Sequence, residues 1–211
     1  MKNNPKSHRQ EYHYNKAKYE GYRARSAYKL LEIQQRFNIF KRAFYILDLG
    51  SAPGSWLQVA KSIAEENVRK YNDQFYHRDH FKIMGVDVKK LTPIEDIYII
   101  QMDLTDSLIK KEIITFFEGN QIDLIISDAS INKSGNRIND QVRQVNLCRE
   151  ILKLSEYLKT RGILIIKLFQ GSDFDDFFQT MKEIFIDIRT FKPKASYKKS
   201  NETYLIGLKK K

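Results

Sequence analysis

The chain has 211 residues, of which 42% are hydrophobic and 12% aromatic, and its formal net charge is +11. A chain of this length buries one sizeable core but not two, so we expect a single domain over residues 23–211. No run of about 18 apolar residues occurs, and the first ten residues lack the apolar stretch of a secretory signal, which argues against a membrane-spanning or secreted protein. We expect a monomer in the cytoplasm or in an organellar matrix such as the mitochondrial one.

The N-terminal residues 1–22 are polar, basic and rich in tyrosine, with little periodicity. We expect them to form an extension that stays mobile until a partner binds. The next stretch, Arg25 to Phe37, has the apolar spacing of an amphipathic helix, with Ser26 as a candidate cap.

Beyond this helix, short β-branched runs alternate with longer amphipathic stretches. The predicted strands are Tyr45 to Leu49, Lys82 to Val86, Tyr98 to Met102, Ile122 to Ser127, Ile163 to Lys167, Ile186 to Thr190 and Tyr204 to Leu208. The predicted helices are Trp56 to Asn67, Ser107 to Glu118, Asp140 to Leu158 and Asp173 to Phe185. This alternation predicts an α/β fold with a mainly parallel seven-stranded sheet covered by helices on both faces. Such sheets bind ligands at the carboxyl ends of their strands.

Metal ligands are few in the sequence. The single cysteine, Cys148, cannot form an intramolecular disulfide, and we interpret it as a small buried residue. His77 and His80 lie in the charged stretch 65–81, which we interpret as a surface insertion with a solvated loop rather than a metal site. We predict no metal.

The predicted strand Tyr45 to Leu49 runs directly into a glycine-containing turn, Gly50 to Gly54, which is followed by a helix. Glycine permits positive φ and close backbone approach, so this turn can press its amides against a ligand. The spacing is neither GxGxxG nor that of a phosphate loop, which argues against a dinucleotide or a triphosphate.

Two carboxylates extend this pattern. Asp87 closes the second predicted strand and Asp103 closes the third, at the edge of the sheet where the glycine turn lies. An acid after the second strand can accept hydrogen bonds from ribose hydroxyls, and one after the third can meet an adenine amino group. Although either acid alone is more often a cap or turn residue, all three elements together favour a nucleoside site.

Three motifs resemble those of the FtsJ/RrmJ family of RNA 2′-O-ribose methyltransferases. They are Asp48-Leu49-Gly50-Ser51-Ala52-Pro53-Gly54-Ser55-Trp56, Arg25-Ser26-Ala27-Tyr28-Lys29-Leu30-Leu31-Glu32-Ile33 and Lys167-Leu168-Phe169-Gln170-Gly171. The resemblance runs from about Tyr22 to about Leu208 and implies a Rossmann-like class I fold that uses S-adenosyl-L-methionine. The cofactor-binding residues that it implies are Gly50, Ser51, Pro53, Gly54, Ser55, Trp56, Asp87, Asp103 and Asp128.

Methyl transfer to a ribose hydroxyl requires in-line alignment and a group that accepts a proton. Four residues at the ends of separate elements are candidates: Lys29, Asp128, Lys167 and Glu202. They match the family's Lys-Asp-Lys-Glu tetrad residue by residue, and the resemblance gives Lys167 the central role. The alternative is a pair of structural ion pairs at strand ends.

One stretch departs from the family pattern. After Ser127-Asp128 the family usually continues with methionine or glycine and then Ala-Pro-Asn, whereas this chain has Ala129-Ser130-Ile131-Asn132. Without the proline the loop after the fourth strand is freer. Catalysis is expected to survive because Asp128 is present.

The positive charge lies at the two chain ends, where residues 1–42 contain eleven Lys or Arg and three acidic residues, and residues 192–211 contain seven Lys and one Glu. Such flanks favour a nucleic acid partner over a merely solubilising surface, because neutralised phosphates release counterions. The candidate phosphate contacts are Lys6, Arg9, Lys16, Lys18, Arg23, Arg25, Lys192, Lys194, Lys198 and Lys199. The tyrosines that could stack on bases are Tyr12, Tyr14, Tyr19, Tyr22 and Tyr197.

The expected substrate is a uridine ribose of large-subunit ribosomal RNA, since the Lys-Leu-Phe-Gln-Gly signature and the compact length resemble the ribosomal RNA enzymes of the family. A tRNA is the second candidate and an RNA cap the third. A non-catalytic RNA-binding assembly protein is disfavoured because all four tetrad positions are filled. A nicotinamide-dependent oxidoreductase is disfavoured by the glycine spacing.

Overall fold

The computed structural model describes residues 8–71, 79–132, 134–171, 173–197 and 200–211. Seven strands form one sheet in the order β3-β2-β1-β4-β5-β7-β6. They are β1 (Tyr45–Leu49), β2 (Lys82–Asp87), β3 (Ile97–Gln101), β4 (Ile122–Ser127), β5 (Leu158–Phe169), β6 (Phe185–Phe191) and β7 (Glu202–Lys210). All neighbouring strands are parallel except β7, which runs antiparallel to both β5 and β6.

Six α-helices accompany the sheet within the described residues. They are α1 (His8–Tyr19), α2 (Ala27–Phe37), α3 (Ser55–Tyr71), α4 (Ile109–Phe116), α5 (Arg137–Lys153) and α6 (Phe174–Ile184), and a 3₁₀ turn, Leu154–Tyr157, follows α5. The predicted α/β class, the strand count and the mainly parallel sheet are confirmed.

The core lies in two layers, one on each face of the sheet. Apolar side chains of α2 and α3 pack on one face, and those of α4, α5 and α6 pack on the other. The central strands β1 and β4 are buried along their whole length, as expected for strands that helices cover on both sides.

The strand order reverses direction between β1 and β4. From β1 the chain proceeds outward to β2 and β3, and it then returns to β4 on the other side of β1 before continuing to β5. In open parallel sheets, ligands bind outside the carboxyl ends of the strands at such a reversal. The fold therefore places a binding site next to the turn that follows β1.

Several local predictions differ from the structure. Residues His8–Tyr19 form α1, where we expected a segment with little regular structure, and Ala17 of this helix is buried against Tyr28 and Ala195. Ser26 precedes α2, but its hydroxyl makes no capping bond and instead lies 2.8 Å from the hydroxyl of Ser55.

The predicted insertion 65–81 is also partly wrong, because α3 continues through Tyr71. His77 lies outside the described residues. His80 lies 2.7 Å from an oxygen of Asp79, and no group of three His, Cys, Asp or Glu side chains able to hold a metal occurs within the described ranges. The predicted helix Asp140 to Leu158 ends at Lys153, and a 3₁₀ turn leads from there into β5.

Candidate active site

A cleft of about 780 Å³ opens at the carboxyl ends of β1, β2 and β4. The residues of its wall that the sequence predicted are Gly50, Asp87, Asp103 and Asp128. Val88, Leu104 and Ala129 add apolar surface, and polar and charged residues of α5 complete one side. This mixture of a mainly apolar wall and a few convergent polar groups is typical of small-molecule sites.

The turn after β1 is tied to the end of β2. Gly50 adopts a positive φ of 79°, and its amide donates to the carbonyl of Val86 at 2.8 Å. The Asp87 carboxylate accepts one hydrogen bond from the Ala52 amide and another from the Lys89 amide, both at 2.8 Å. A Cβ at position 50 would lie 2.5 Å from the Cβ of Ala129, so glycine is required there for close contact with the loop after β4.

Asp103 lies just beyond β3 and is exposed. One of its oxygens, Oδ1, accepts hydrogen bonds from the amide and the hydroxyl of Thr105, both at 2.8 Å. These bonds lower the pKa of Asp103, so the group is ionised at neutral pH. An anionic oxygen therefore faces the part of the cleft next to Leu104.

The other loop residues predicted to bind the cofactor do not line the described cleft. They are Ser51, Pro53, Gly54, Ser55 and Trp56. The Trp56 indole donates to the carbonyl of Ser26 at 2.9 Å, and the Ser51 hydroxyl donates to the carbonyl of Asp48 at 2.8 Å. These two hydrogen bonds stabilise the conformation of the turn.

The four candidate catalytic residues come together around Asp128, and of the four Asp128 alone is among the residues that line the cleft. Lys167 lies 3.0 Å from Asp128 Oδ1 and also donates to the Asp128 carbonyl. Lys29 lies 2.8 Å from Glu202 Oε1 and 3.7 Å from Asp128 Oδ1. Two cations and two carboxylates thus form one connected group, the tetrad.

The sheet register explains how residues so far apart in sequence meet. Tyr204 of β7 pairs with Lys167 of β5, and Glu202 stands two residues before Tyr204, so all three side chains share one face. The helix α2 covers this face and contributes Lys29. Asp128 enters from the end of β4, the strand beside β5.

The tetrad carboxylates are held ionised. Burial alone would raise the pKa of Asp128, but Lys167, Lys29 and the Tyr204 hydroxyl outweigh it and lower that pKa. Burial likewise opposes the ionisation of Glu202, and Lys29 reverses the effect, so the pKa of Glu202 is lowered.

Sequence reasoning missed Tyr204. Its ring is fully buried and lies against Trp56 with ring centroids 5.9 Å apart, while its hydroxyl donates to Asp128 Oδ1 at 2.6 Å. An aromatic residue in a strand is typical of core, so its polar contact gave no sequence signal.

Both basic chain ends lie near α2. Glu32 accepts hydrogen bonds from the amides of Lys194 and Ala195, which ties the segment between β6 and β7 to this helix. The Arg25 guanidinium lies over the ring of Tyr197, 4.1 Å from its centroid. Four predicted stacking residues are exposed: Tyr12, Tyr14, Tyr19 and Tyr197.

We expected Arg23 to contact a phosphate, but in the structure its side chain contacts the protein backbone. Its guanidinium donates to the carbonyls of Pro53, Thr92 and Pro93 at 3.2, 2.7 and 2.9 Å. It therefore braces the turn after β1 in this structure. Lys6, Lys198, Lys199 and the side chain of Arg9 lie outside the described residues.

Comparisons with known proteins agree with this geometry. The chain is 37% identical over 203 residues to the ribosomal RNA large subunit methyltransferase E of Methanosarcina acetivorans, covering 95% of this chain and 69% of that protein. A crystal structure described as a ribosomal RNA methyltransferase of Plasmodium falciparum superposes with a TM-score of 0.73 at 30% identity, covering 90% of this chain and 98% of that one. A Streptococcus mutans protein described as a methyltransferase in complex with SAH superposes with a TM-score of 0.50 at 13% identity, covering 85% and 97% of the two chains, and this likeness concerns the fold alone.

The sheet and the cleft at its strand reversal define a Rossmann-like methyltransferase fold. Within that class, the sequence model described as FtsJ-like methyltransferase matches residues 22–210. The chain belongs to the FtsJ-like methyltransferase family. The resemblance inferred from its motifs is thereby confirmed.

Proposed function

We propose that this protein transfers a methyl group from S-adenosylmethionine to the 2′-hydroxyl of a uridine in large-subunit ribosomal RNA, and that it acts as a monomer. The observation that carries the proposal is the placement of Lys167 Nζ, held between the carboxylate and the carbonyl of Asp128 at the edge of the cleft. The name of the Methanosarcina relative supports the choice of ribosomal RNA.

The donor set around the cleft fits a cationic nucleoside. Asp87, Asp103 and Asp128 line it together with Val88 and Leu104, which supply apolar surface on which a base can pack. Carboxylates accept hydrogen bonds from ribose hydroxyls and complement a positive charge. When bound, S-adenosylmethionine supplies an activated methyl on a sulfonium, and the neutral thioether of S-adenosylhomocysteine is the leaving group.

The tetrad would provide the proton transfer. In this proposal Lys167 reacts as the neutral amine, after its resting proton has passed to solvent, and its Nζ accepts the proton of the ribose hydroxyl as the oxygen attacks the methyl carbon. The resulting ammonium is stabilised by Asp128 Oδ1, 3.0 Å away. Lys29, whose own contact is Glu202 at 2.8 Å, positions the ribose and balances the two carboxylates.

The RNA would approach across the surface that joins the two basic ends. Glu32 holds the segment after β6 against α2, and Lys29 of α2 belongs to the tetrad. Basic side chains on both segments therefore border the reaction site and would contact phosphates, while exposed tyrosines such as Tyr197 would stack on unpaired bases.

The substrate is tested by methyl transfer from labelled S-adenosylmethionine to isolated large ribosomal subunits, to free ribosomal RNA and to tRNA. We expect label in large-subunit RNA, either free or assembled. Transfer to tRNA alone would overturn the substrate assignment. Cofactor binding without transfer to any RNA would favour the non-catalytic assembly protein instead.

The proposed RNA-binding surface is tested separately by removing positive charges from it. Neutral substitutions of Lys16, Lys18, Lys192 and Lys194 together are expected to weaken RNA binding and to flatten its salt dependence, with cofactor affinity unchanged. An equal loss of RNA and cofactor affinity would contradict the assignment of these lysines.

A further inference from the structure

Gln144 is a fully buried amide in the middle of α5. Its Oε1 accepts a hydrogen bond from the Ile131 amide at 3.1 Å. Its Nε2 donates to the carbonyls of Ala129 and Lys167, at 3.1 and 3.2 Å. One side chain therefore satisfies three backbone groups that belong to two different segments of the site.

The two segments carry the central pair of the tetrad. Ala129 and Ile131 belong to the loop that begins with Asp128. Lys167 belongs to β5, and its side chain contacts Asp128. Gln144 thus joins the loop after β4 to the end of β5 from the side of the sheet that α5 covers. A change in its position would alter the relative placement of these two residues.

The same loop forms part of the cofactor cleft. Ala129, Ser130 and Ile131 all line it. Ala129 also lies close to Gly50, since a Cβ added to Gly50 would be 2.5 Å from the Cβ of Ala129. The bonds from Gln144 to Ala129 and Ile131 therefore fix the wall against which the turn after β1 packs.

The hydrogen bond to Ile131 has a specific chemical reason. A proline at position 131 would have no amide hydrogen and a fixed φ. With isoleucine the backbone is freer and a backbone donor is added that requires a partner where it is shielded from water. The Oε1 of Gln144 is that partner.

We propose that Gln144 is a positioning residue that binds the Ile131 amide and the Ala129 carbonyl, and so holds the loop after Asp128 in the form required for cofactor binding and methyl transfer. The kinetic part of this proposal rests on the proposed function, whereas the binding part does not. The link between positions 144 and 131 makes the proposal testable by rescue.

The test compares three variants of the full chain. Gln144→Met keeps the volume and removes every amide bond, and Ile131→Pro with Gln144→Met also removes the orphaned donor and restricts the loop. Val145→Ala is the control, because Val145 is equally buried on the next position of α5 and belongs to the apolar core. Calorimetry gives the Kd for S-adenosylhomocysteine, and single-turnover transfer gives the rate.

We expect Gln144→Met to weaken S-adenosylhomocysteine binding about tenfold and to slow transfer by at least as much, because the Ile131 amide and the Ala129 carbonyl lose this partner and the Lys167 carbonyl keeps only the Cys148 thiol. Adding Ile131→Pro is expected to recover most of the binding loss. Val145→Ala is expected to lower the melting temperature and leave Kd within about twofold.

Two results would overturn the proposal: an unchanged Kd in Gln144→Met, or a Kd in the double variant no better than in the single one. If Gln144→Met does not fold, Gln144→Asn replaces it. The Kd of Gln144→Asn is then compared with that of the double variant Ile131→Pro, Gln144→Asn, by the same criterion. Absence of transfer by the wild-type protein would count against the proposed function, and the binding comparison would still decide the role of Gln144.

Discussion

The hydroxyl of Tyr204 lies 2.6 Å from Oδ1 of Asp128, the same oxygen that lies 3.0 Å from Lys167 Nζ. One carboxylate oxygen therefore receives both a neutral hydroxyl donor and a cation. Since the Tyr204 ring is fully buried, its hydroxyl cannot turn toward solvent. Tyr204 thus fixes the rotamer of Asp128 that orients Lys167.

Replacing Tyr204 by phenylalanine is expected to slow methyl transfer about tenfold and to lower the free energy of unfolding by about 2 kcal/mol, a usual net value for a hydrogen bond to a charged group. The matched control is Tyr28→Phe, which removes a hydroxyl bonded to Glu20 at 2.9 Å, away from Asp128. Rates measured at saturating cofactor check this. Equal rate losses in both variants would contradict a specific role for Tyr204.

The pair Lys29 and Glu202 allows stability to be separated from activity. Both side chains are only 11% exposed, so Lys29→Ala leaves a nearly buried carboxylate without its main partner. Such a change costs about 3 kcal/mol of unfolding free energy. Adding Glu202→Gln removes the stranded charge.

We therefore expect the double variant Lys29→Ala, Glu202→Gln to recover most of the stability and none of the methyl transfer rate. Denaturant unfolding and single-turnover transfer measure the two quantities. Recovery of transfer together with stability would mean that Lys29 serves only as a structural ion pair.

Asp48 predicts an unusual dependence of stability on pH. Its side chain is 1% exposed, and neither carboxylate oxygen accepts a hydrogen bond from the described residues. Burial first, and the charge of Asp128 second, raise the pKa of Asp48 well above its ordinary value. A carboxyl with a raised folded-state pKa contributes stability at low pH that is lost as pH rises from its unfolded value, about 3.9, toward its folded value.

Asp48→Asn is accordingly expected to raise the melting temperature of the ligand-free protein, with a gain that grows as pH increases from 5 to 8. Melting curves across this range measure it, and Asp106→Asn, at an exposed carboxylate, is the control. A gain that does not change with pH would contradict the assigned protonation.

The reactivity of the Cys148 thiol measures how well α5 is packed against β5. Burial raises its thiol pKa to about 12, and Sγ donates to the carbonyl of Lys167 at 3.2 Å. Because the thiolate is the reactive form, we expect very slow alkylation at pH 8 in the native protein and complete alkylation in denaturant. Mass spectrometry measures the extent of alkylation over time. Rapid alkylation of the native protein would contradict the packing of α5 against β5.

Much of the fold was predictable because its central strands are short β-branched runs between clear turns. The limits of Tyr45–Leu49 and Ile122–Ser127 were predicted to the residue. By contrast, α1 has a weak apolar pattern, and Ala17 is buried only because Tyr28 and Ala195 cover it. Such tertiary contacts leave little periodicity in the sequence.

Asp87, Asp103 and Asp128 were predictable because each lies at the carboxyl end of a strand, and the carboxyl ends of parallel strands meet at one edge of the sheet. The motif residues were harder to place, since a family motif does not say which side chains face the ligand. Trp56 bonds Ser26 and packs on Tyr204, while Gly50 lies at the cleft wall. The contacts of Gln144 and Tyr204 depend on side-chain placement across α5, β5 and β7, which no local pattern in the sequence encodes.

Methylation of a ribose oxygen by the tetrad is tested by the chemical identity of the product. Large-subunit RNA treated with the wild-type protein and with Lys167→Ala would be digested and its nucleosides analysed by mass spectrometry, with alkaline resistance mapping the position. We expect 2′-O-methyluridine at one site with the wild-type protein and a loss of at least a hundredfold in rate with Lys167→Ala. Methylation of a base, or an unchanged rate with Lys167→Ala, would contradict this expectation.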